Sequence, residues 1–304
     1  MTFTRPQQIQ AALITLGAVA LFVLFRHLPT GTNLSHMDFR VQGGNSIEMC
    51  DPLNPQFIPV VDVRSPVTMV LAADAPAVAG REVQATFSLR TASGKPIAPE
   101  DLVIAHTKKL HLLIADPSLA DYQHVHPDPT LTPGEWAFHF TPHLGGVYRI
   151  FADFTPVATG RGLYANTELM VKDDHSAASL VADRQRSWTY ENEGYRFELQ
   201  PAAQPLRVRQ IIDLKFSVTR PDGGAVPMEP VMGAYAHLVA FDEARSGFAH
   251  LHPVETDLSQ RPDALRPALS FKITIPNPGR YVIWAQVNLG GHELFAPFWF
   301  DVAP

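Results

Sequence analysis

From Val60 onward the chain alternates between short apolar or every-other-residue runs and clusters of Pro, Gly, Asn and Asp. Such spacing predicts β-strands separated by turns. The runs are Val67 to Ala72, Arg81 to Arg90, Leu102 to Ala115, Tyr122 to His126, Glu135 to Thr141, Gly146 to Phe154 and Leu163 to Val171. A polar, mixed stretch, Asp173 to Arg186, follows. A second series then runs Ser187 to Glu191, Tyr195 to Gln200, Ile211 to Thr219, Tyr235 to Phe241, Phe248 to His252, Ala268 to Ile275, Gly279 to Val287 and Glu293 to Val302. Each series suits a β-sandwich of about seven strands. The expected domains are residues 60–172 and 187–304, joined by a linker at 173–186.

Before them, Ile9 to Phe25 carries no charge and is flanked by Arg5 and by Arg26-His27. Its length sits at the low end for a membrane span and above a usual signal-peptide apolar core. An uncleaved signal anchor within residues 1–27 is the expectation, with a cleaved signal peptide or a buried core helix as alternatives. Residues 28–59, rich in Pro, Gly and Asn, read as a tether. Within it His36-Met37 and Met49-Cys50 are soft or borderline metal ligands or simply linker residues.

The pattern repeats internally. LHLLIADPSLADYQHVHP, from Leu110 to Pro127, has the same histidine spacing as AHLVAFDEARSGFAHLHP, from Ala236 to Pro253. Each copy reads as a hairpin, an apolar run, a polar turn and a second run ending in His-x-His-Pro. With a loop of even length, paired residues have odd index sums, so His111 shares a face with His124 and His126, and His237 with His250 and His252. A loop of odd length would separate the first histidine from the other two. Further on, FHFTPHLGGVYRIFA (Phe138 to Ala152) aligns without a gap to FKITIPNPGRYVIWA (Phe271 to Ala285), placing Gly146 on Gly279 and Tyr148 on Tyr281. These glycines and tyrosines have the look of a tyrosine-corner strand and are assigned to structure.

Composition narrows the function. A net charge of -6 without a basic cluster gives nucleic acid no electrostatic footprint. One cysteine, Cys50, permits no intrachain disulfide. No nucleophile elbow, zinc-protease helix, phosphate loop or Cys-x-x-Cys pair is present. The histidines remain: six of 13 fall in two matching sets. His-x-His on a strand points both rings one way, and a third imidazole opposite makes a plausible metal set for copper, zinc, nickel or iron. Buried histidines held by backbone carbonyls are the alternative. Further candidates are His106, His139 and His143 in the first half and Met228, Met232 and His292 in the second; Lys272 and Pro276 stand where His139 and His143 would recur.

The two hairpins, with GGVYRIFADFTP behind the first, resemble the repeated domain of a bacterial family of exported or membrane-anchored tandem β-sandwich proteins grouped with copper and heavy-metal handling. That resemblance implies an all-β fold of two tandem immunoglobulin-like (cupredoxin-like) sandwiches after an N-terminal transmembrane helix. It also implies a setting outside the cytoplasm, the bulk of the chain in the periplasm or extracytoplasmic space. The expected function is a membrane-tethered metal-binding protein, a copper chaperone, buffer or sensor with zinc as the other metal, and another envelope metal-handling protein as a candidate partner. Two alternatives stand beside it. One is a copper oxidoreductase similar to two-domain peptidylglycine-type monooxygenases, which are disulfide-rich where this chain is not. The other is a metal-free immunoglobulin-like interaction module. Each hairpin is expected to form its own site.

Overall fold

The structure, a computed structural model, describes residues 4–27, 34–40, 55–173 and 184–304. Arg5–His27 is one α-helix, long and apolar enough to cross a membrane. A membrane anchor and a signal sequence both meet that description.

The rest is β-structure in two copies of one plan. In the first sandwich, Val67–Ala73, Val83–Thr91, Glu135–Phe140 and the short Asp128–Pro129 make one sheet. The facing sheet has the order Ala77–Val78, Leu163–Lys172, Gly146–Phe154, Leu110–Ala115, Tyr122–Val125. The second sandwich repeats this, with Thr189–Asn192, Tyr195–Pro201, Ile211–Thr219 and Ala268–Thr274 against Leu206–Arg207, His292–Ala303, Gly279–Leu289, His237–Asp242 and Phe248–Leu251. Alternation fills each interior. Phe87, Trp136 and Phe138 meet Leu112, Ile114, Tyr148 and Ile150 in the first, while Phe197, Phe216 and Phe271 meet Leu238, Ala240, Tyr281, Ile283 and Phe298 in the second.

The repeated Gly-x-Tyr strands occupy equivalent places. Gly146 and Gly279 have φ of 128° and 148°, a conformation that side chains resist. Tyr281 Oη donates to the Asn277 carbonyl at 2.9 Å. Tyr148 Oη accepts from Leu144 N–H at 3.1 Å and donates to the buried Asp121 carboxylate at 2.6 Å. Both hydroxyls thus bond the backbone at the matching upstream position, and the first adds a charged partner.

Two stretches differ from the sequence reading. The expected strand from Leu102 to Ala115 begins only at Leu110. Before it the chain makes a tight turn in which Ala105 and Lys108 bridge, with His106 and Thr107 at φ of 49° and 69°. The described parts of the presumed tether are also anchored. Leu34 and Phe39 are buried in the first sandwich's core, and Asp38 pairs with Lys95 at 2.6 Å. Farther along, Phe57 enters the core of the second sandwich, and Ile58 N–H donates to the Phe248 carbonyl at 2.9 Å. Large apolar side chains in a polar linker are the physical reason, since burial outweighs the turn-rich local composition. Met49 and Cys50 lie outside the described residues.

A third core lies between the sandwiches. Leu113, Ala115, Tyr122, Phe151 and Tyr164 of the first pack on Val239, Phe241, Phe248, Val282, Trp284 and Trp299 of the second. Phe151 and Phe248 have ring centroids 5.3 Å apart, and Trp284 Nε1–H donates to the Leu119 carbonyl at 3.1 Å. The strand Leu110–Ala115 is buried along its whole length because one face feeds its own core and the other feeds this interface.

Removing the tyrosine hydroxyls separates the two corners. Tyr148→Phe should cost about 2 kcal/mol, because a buried carboxylate loses a donor, and Tyr281→Phe about 1 kcal/mol. Urea unfolding checks this, and a larger loss for Tyr281→Phe would contradict the assignment.

Candidate metal centre

The loop on which the parity argument depends is even in both hairpins. Ala115 pairs with Tyr122 and Leu113 with His124; Phe241 pairs with Phe248 and Val239 with His250. Those registers place His111, His124 and His126 on one face, and His237, His250 and His252 on the matching face. An aspartate ties each loop. Asp116 accepts from Ser118 N–H at 2.7 Å and Asp121 N–H at 2.9 Å, and Asp242 accepts from Ser246 N–H at 2.6 Å.

Both faces are the ones that meet between the sandwiches. The two trios therefore lie side by side across the interface, His124 and His250 having ring centroids 5.3 Å apart and His111 and His250 5.6 Å. Within each trio, one ring nitrogen per histidine lies within 4.8 Å of the others, so each set can hold a metal ion.

Outer hydrogen bonds fix which nitrogen carries the proton. His111 Nε2–H donates to the Ala105 carbonyl at 3.0 Å, and His237 Nε2–H to the Val231 carbonyl at 3.0 Å. Each therefore presents a bare Nδ1 lone pair to its trio. His124 Nδ1–H donates to Gln286 Oε1 at 2.9 Å, an amide whose orientation is set by its own donation to Glu293 at 2.8 Å. His250 Nδ1–H donates to the Asp153 carboxylate at 3.0 Å. Those two rings then present bare Nε2 atoms. Second-partner bonds of this kind fix the tautomer of histidine ligands in metal sites.

The result is a set of inward lone pairs with too few protons among them. His111 Nδ1 and His124 Nε2 face each other at 3.1 Å, and neither has a hydrogen to give while its ring is neutral. His126 Nε2 approaches the same His111 nitrogen at 3.1 Å. In the second trio, His237 Nδ1, His250 Nε2 and His252 Nε2 are buried with no hydrogen-bond partner among the described residues. An orphaned buried nitrogen costs roughly 1–3 kcal/mol.

Burial also holds the rings neutral. It lowers His111 and His126 to about 4 and His237 to about 3, and pushes His124, His250 and His252 well below the ordinary imidazole value. Neighbouring imidazoles push His124, His250 and His252 further down. Neutral rings are the form that binds metal.

A family model described as a domain of unknown function, DUF8832, matches residues 62–172 and again 189–304. The chain belongs to that family. A search of curated proteins finds no match. The DUF8832 repeat therefore accounts for the doubled site as well as the doubled fold, since each copy brings one trio.

Of the further candidates, His106 joins the cluster, its ring stacked on His252 with centroids 3.5 Å apart. Met232 occupies the corresponding turn of the second sandwich, with φ of 50° against 49° for His106. His139 lies exposed in the opposite sheet, His143 bonds Asp121 at 3.0 Å, and His292 is exposed at a strand start. Sequence reasoning missed Asp153 and Gln286. Their signal was present, because the gap-free alignment ends one position short of them and both pair directly with the first histidine of a hairpin.

The lowered values have a consequence for stability. Unfolded histidines take up protons below about pH 6.5 while the folded ones stay neutral, so acid favours the unfolded chain. Stability of the metal-free chain should be level above pH 7 and fall between about 6.5 and 4, each neutral histidine adding up to about 1.4 kcal/mol per pH unit to the slope. Thermal melts across that range test it, and a level profile there would contradict buried neutral rings.

Proposed function

We propose that the chain is a membrane-tethered copper-binding protein of the extracytoplasmic space that stores or passes on the ion, the N-terminal helix serving as its anchor. The observation that carries this reading is the trio of unpartnered nitrogens on His237, His250 and His252, beside a first trio in which His124 Nε2 and His126 Nε2 both crowd His111 Nδ1 at 3.1 Å. A bound cation supplies what the four inward lone pairs of His111, His124, His237 and His250 lack.

Charge supports copper among the metals that imidazole serves. The ligands are neutral and the nearest anion bonded to them is Asp153, so two divalent ions would bury several uncompensated positive charges. Copper alone in that group has a stable monovalent state, which accepts three imidazoles and leaves far less charge to bury. Access supports a carrier. His126, the last histidine of the first hairpin, is only part-buried, so an ion at the first trio exchanges at that rim without separation of the sandwiches.

A second reading rests on the contact of the two trios. Two copper ions walled by touching rings suit a copper oxidoreductase with a paired centre, and oxygen consumption that depends on added reductant distinguishes it from a carrier. The metal-free module is disfavoured by the opposed lone pairs, which lose energy without a cation.

Purified full-length chain, reduced and loaded with copper under nitrogen, should retain two ions. Replacing His250 and His252 together by Ala should remove about one of them while the chain stays folded. Retention of both ions, or no binding by the unaltered chain, would contradict the proposal.

A further inference from the structure

The two trios are related by the repeat, yet two features around them break that relation, and both bear in the same direction. Asp153 and Gln286 are equivalent, each pairing with the first histidine of its own hairpin. Each reaches across the interface to the other sandwich. Gln286 accepts from His124 with a neutral amide at 2.9 Å, whereas Asp153 accepts from His250 with a carboxylate at 3.0 Å. A carboxylate behind a ligating histidine makes the ring a stronger donor and adds a compensating charge. The second trio has a carboxylate hydrogen-bonded to one of its ligands, and the first has only the amide.

Next comes the turn preceding each hairpin. His106, from the first sandwich, is exposed on one side but lays its ring flat over His252, with His237 and His250 at centroid distances of 5.9 and 6.3 Å. The residue at the matching turn position of the second repeat is Met232, so the first trio has no second imidazole of this kind from the repeat. An imidazole cover over the part-exposed ligand shields the second trio from water.

Building on the metal-binding reading above, the geometry points to an unequal two-ion centre: His237, His250 and His252, backed by Asp153 and covered by His106, form the tight site that fills first, and His111, His124 and His126 form a weaker site that fills second and exchanges. Such a pair retains one ion while passing on the other. It also depends on the docked sandwiches, since the group that distinguishes the tight site belongs to the opposite domain. Asp153 is a positioning residue here, acting through His250.

Anaerobic titration of the full chain with Cu(I), in competition with a chromogenic chelator, tests this. The unaltered chain should show two separated binding steps. His252→Ala should abolish the tight step and His126→Ala the weak one. Asp153→Gln, which gives the second trio the backing of the first, should weaken the tight step roughly 10–100-fold. The weak step should lose less, since the Asp153 charge also acts on His111. Gln286→Asp should tighten the weak step, a gain that damage to the fold does not produce. Two equal steps in the unaltered chain, or Asp153→Gln weakening both steps alike or neither, overturns the inference while leaving metal binding intact. Absence of both ions from the unaltered chain overturns the proposed function itself.

Discussion

The structure depends on a polar group of six imidazoles enclosed where two sheets of aromatic and aliphatic side chains meet. Burying that many ring nitrogens costs free energy, and the sandwiches meet there because Phe151, Tyr122, Phe241, Phe248 and Trp284 remove a large apolar area around them. The cost is reduced on the outer side, where a carbonyl, an amide or a carboxylate accepts a hydrogen bond from an N–H of each of four rings. On the inner side of the second trio no partner is found among the described residues. The lone pairs of His111 and His124 oppose each other, and three nitrogens of the second trio stand bare. A cation resolves both defects together.

Much of this was legible in the residues. The strand boundaries of Gly146–Phe154 and Ile211–Thr219 follow from alternation, and the shared face of each trio follows from loop parity, which the registers bear out. The meeting of the trios was not legible. The strands Leu110–Ala115 and His237–Asp242 are apolar on both faces, and a period of two cannot say which face looks into its own sandwich and which into another. The repeat predicts one trio in each hairpin, and the apolar neighbours Leu113 and Val239, packed in the interface core, are what bring the two trios side by side. His106 was hidden for a different reason. It lies in a turn with positive φ that the apolar run Leu102 to Ala115 concealed within a supposed long strand.

Duplication explains the near-symmetry, and a few substitutions explain the departure from it. Equivalent positions exchange hydrogen bonds across the interface, so each sandwich sets the tautomers of the other's ligands. Under the proposed function, metal affinity and domain docking are one equilibrium: an ion that requires bare Nε2 atoms on His124 and His250 would stabilise the docked arrangement that provides them. The anchored segments at 34–40 and 55–60 add to the same end, fastening chain that precedes the first sandwich to the cores of both.

The central claim is that the inward nitrogens are ligands, and X-ray absorption at the copper edge of the loaded, reduced chain tests it most directly. The account predicts about three nitrogen neighbours at roughly 2 Å, with the outer-shell scattering of imidazole rings and no sulfur. A sulfur shell, or a spectrum of oxygen neighbours without imidazole scattering, would contradict it.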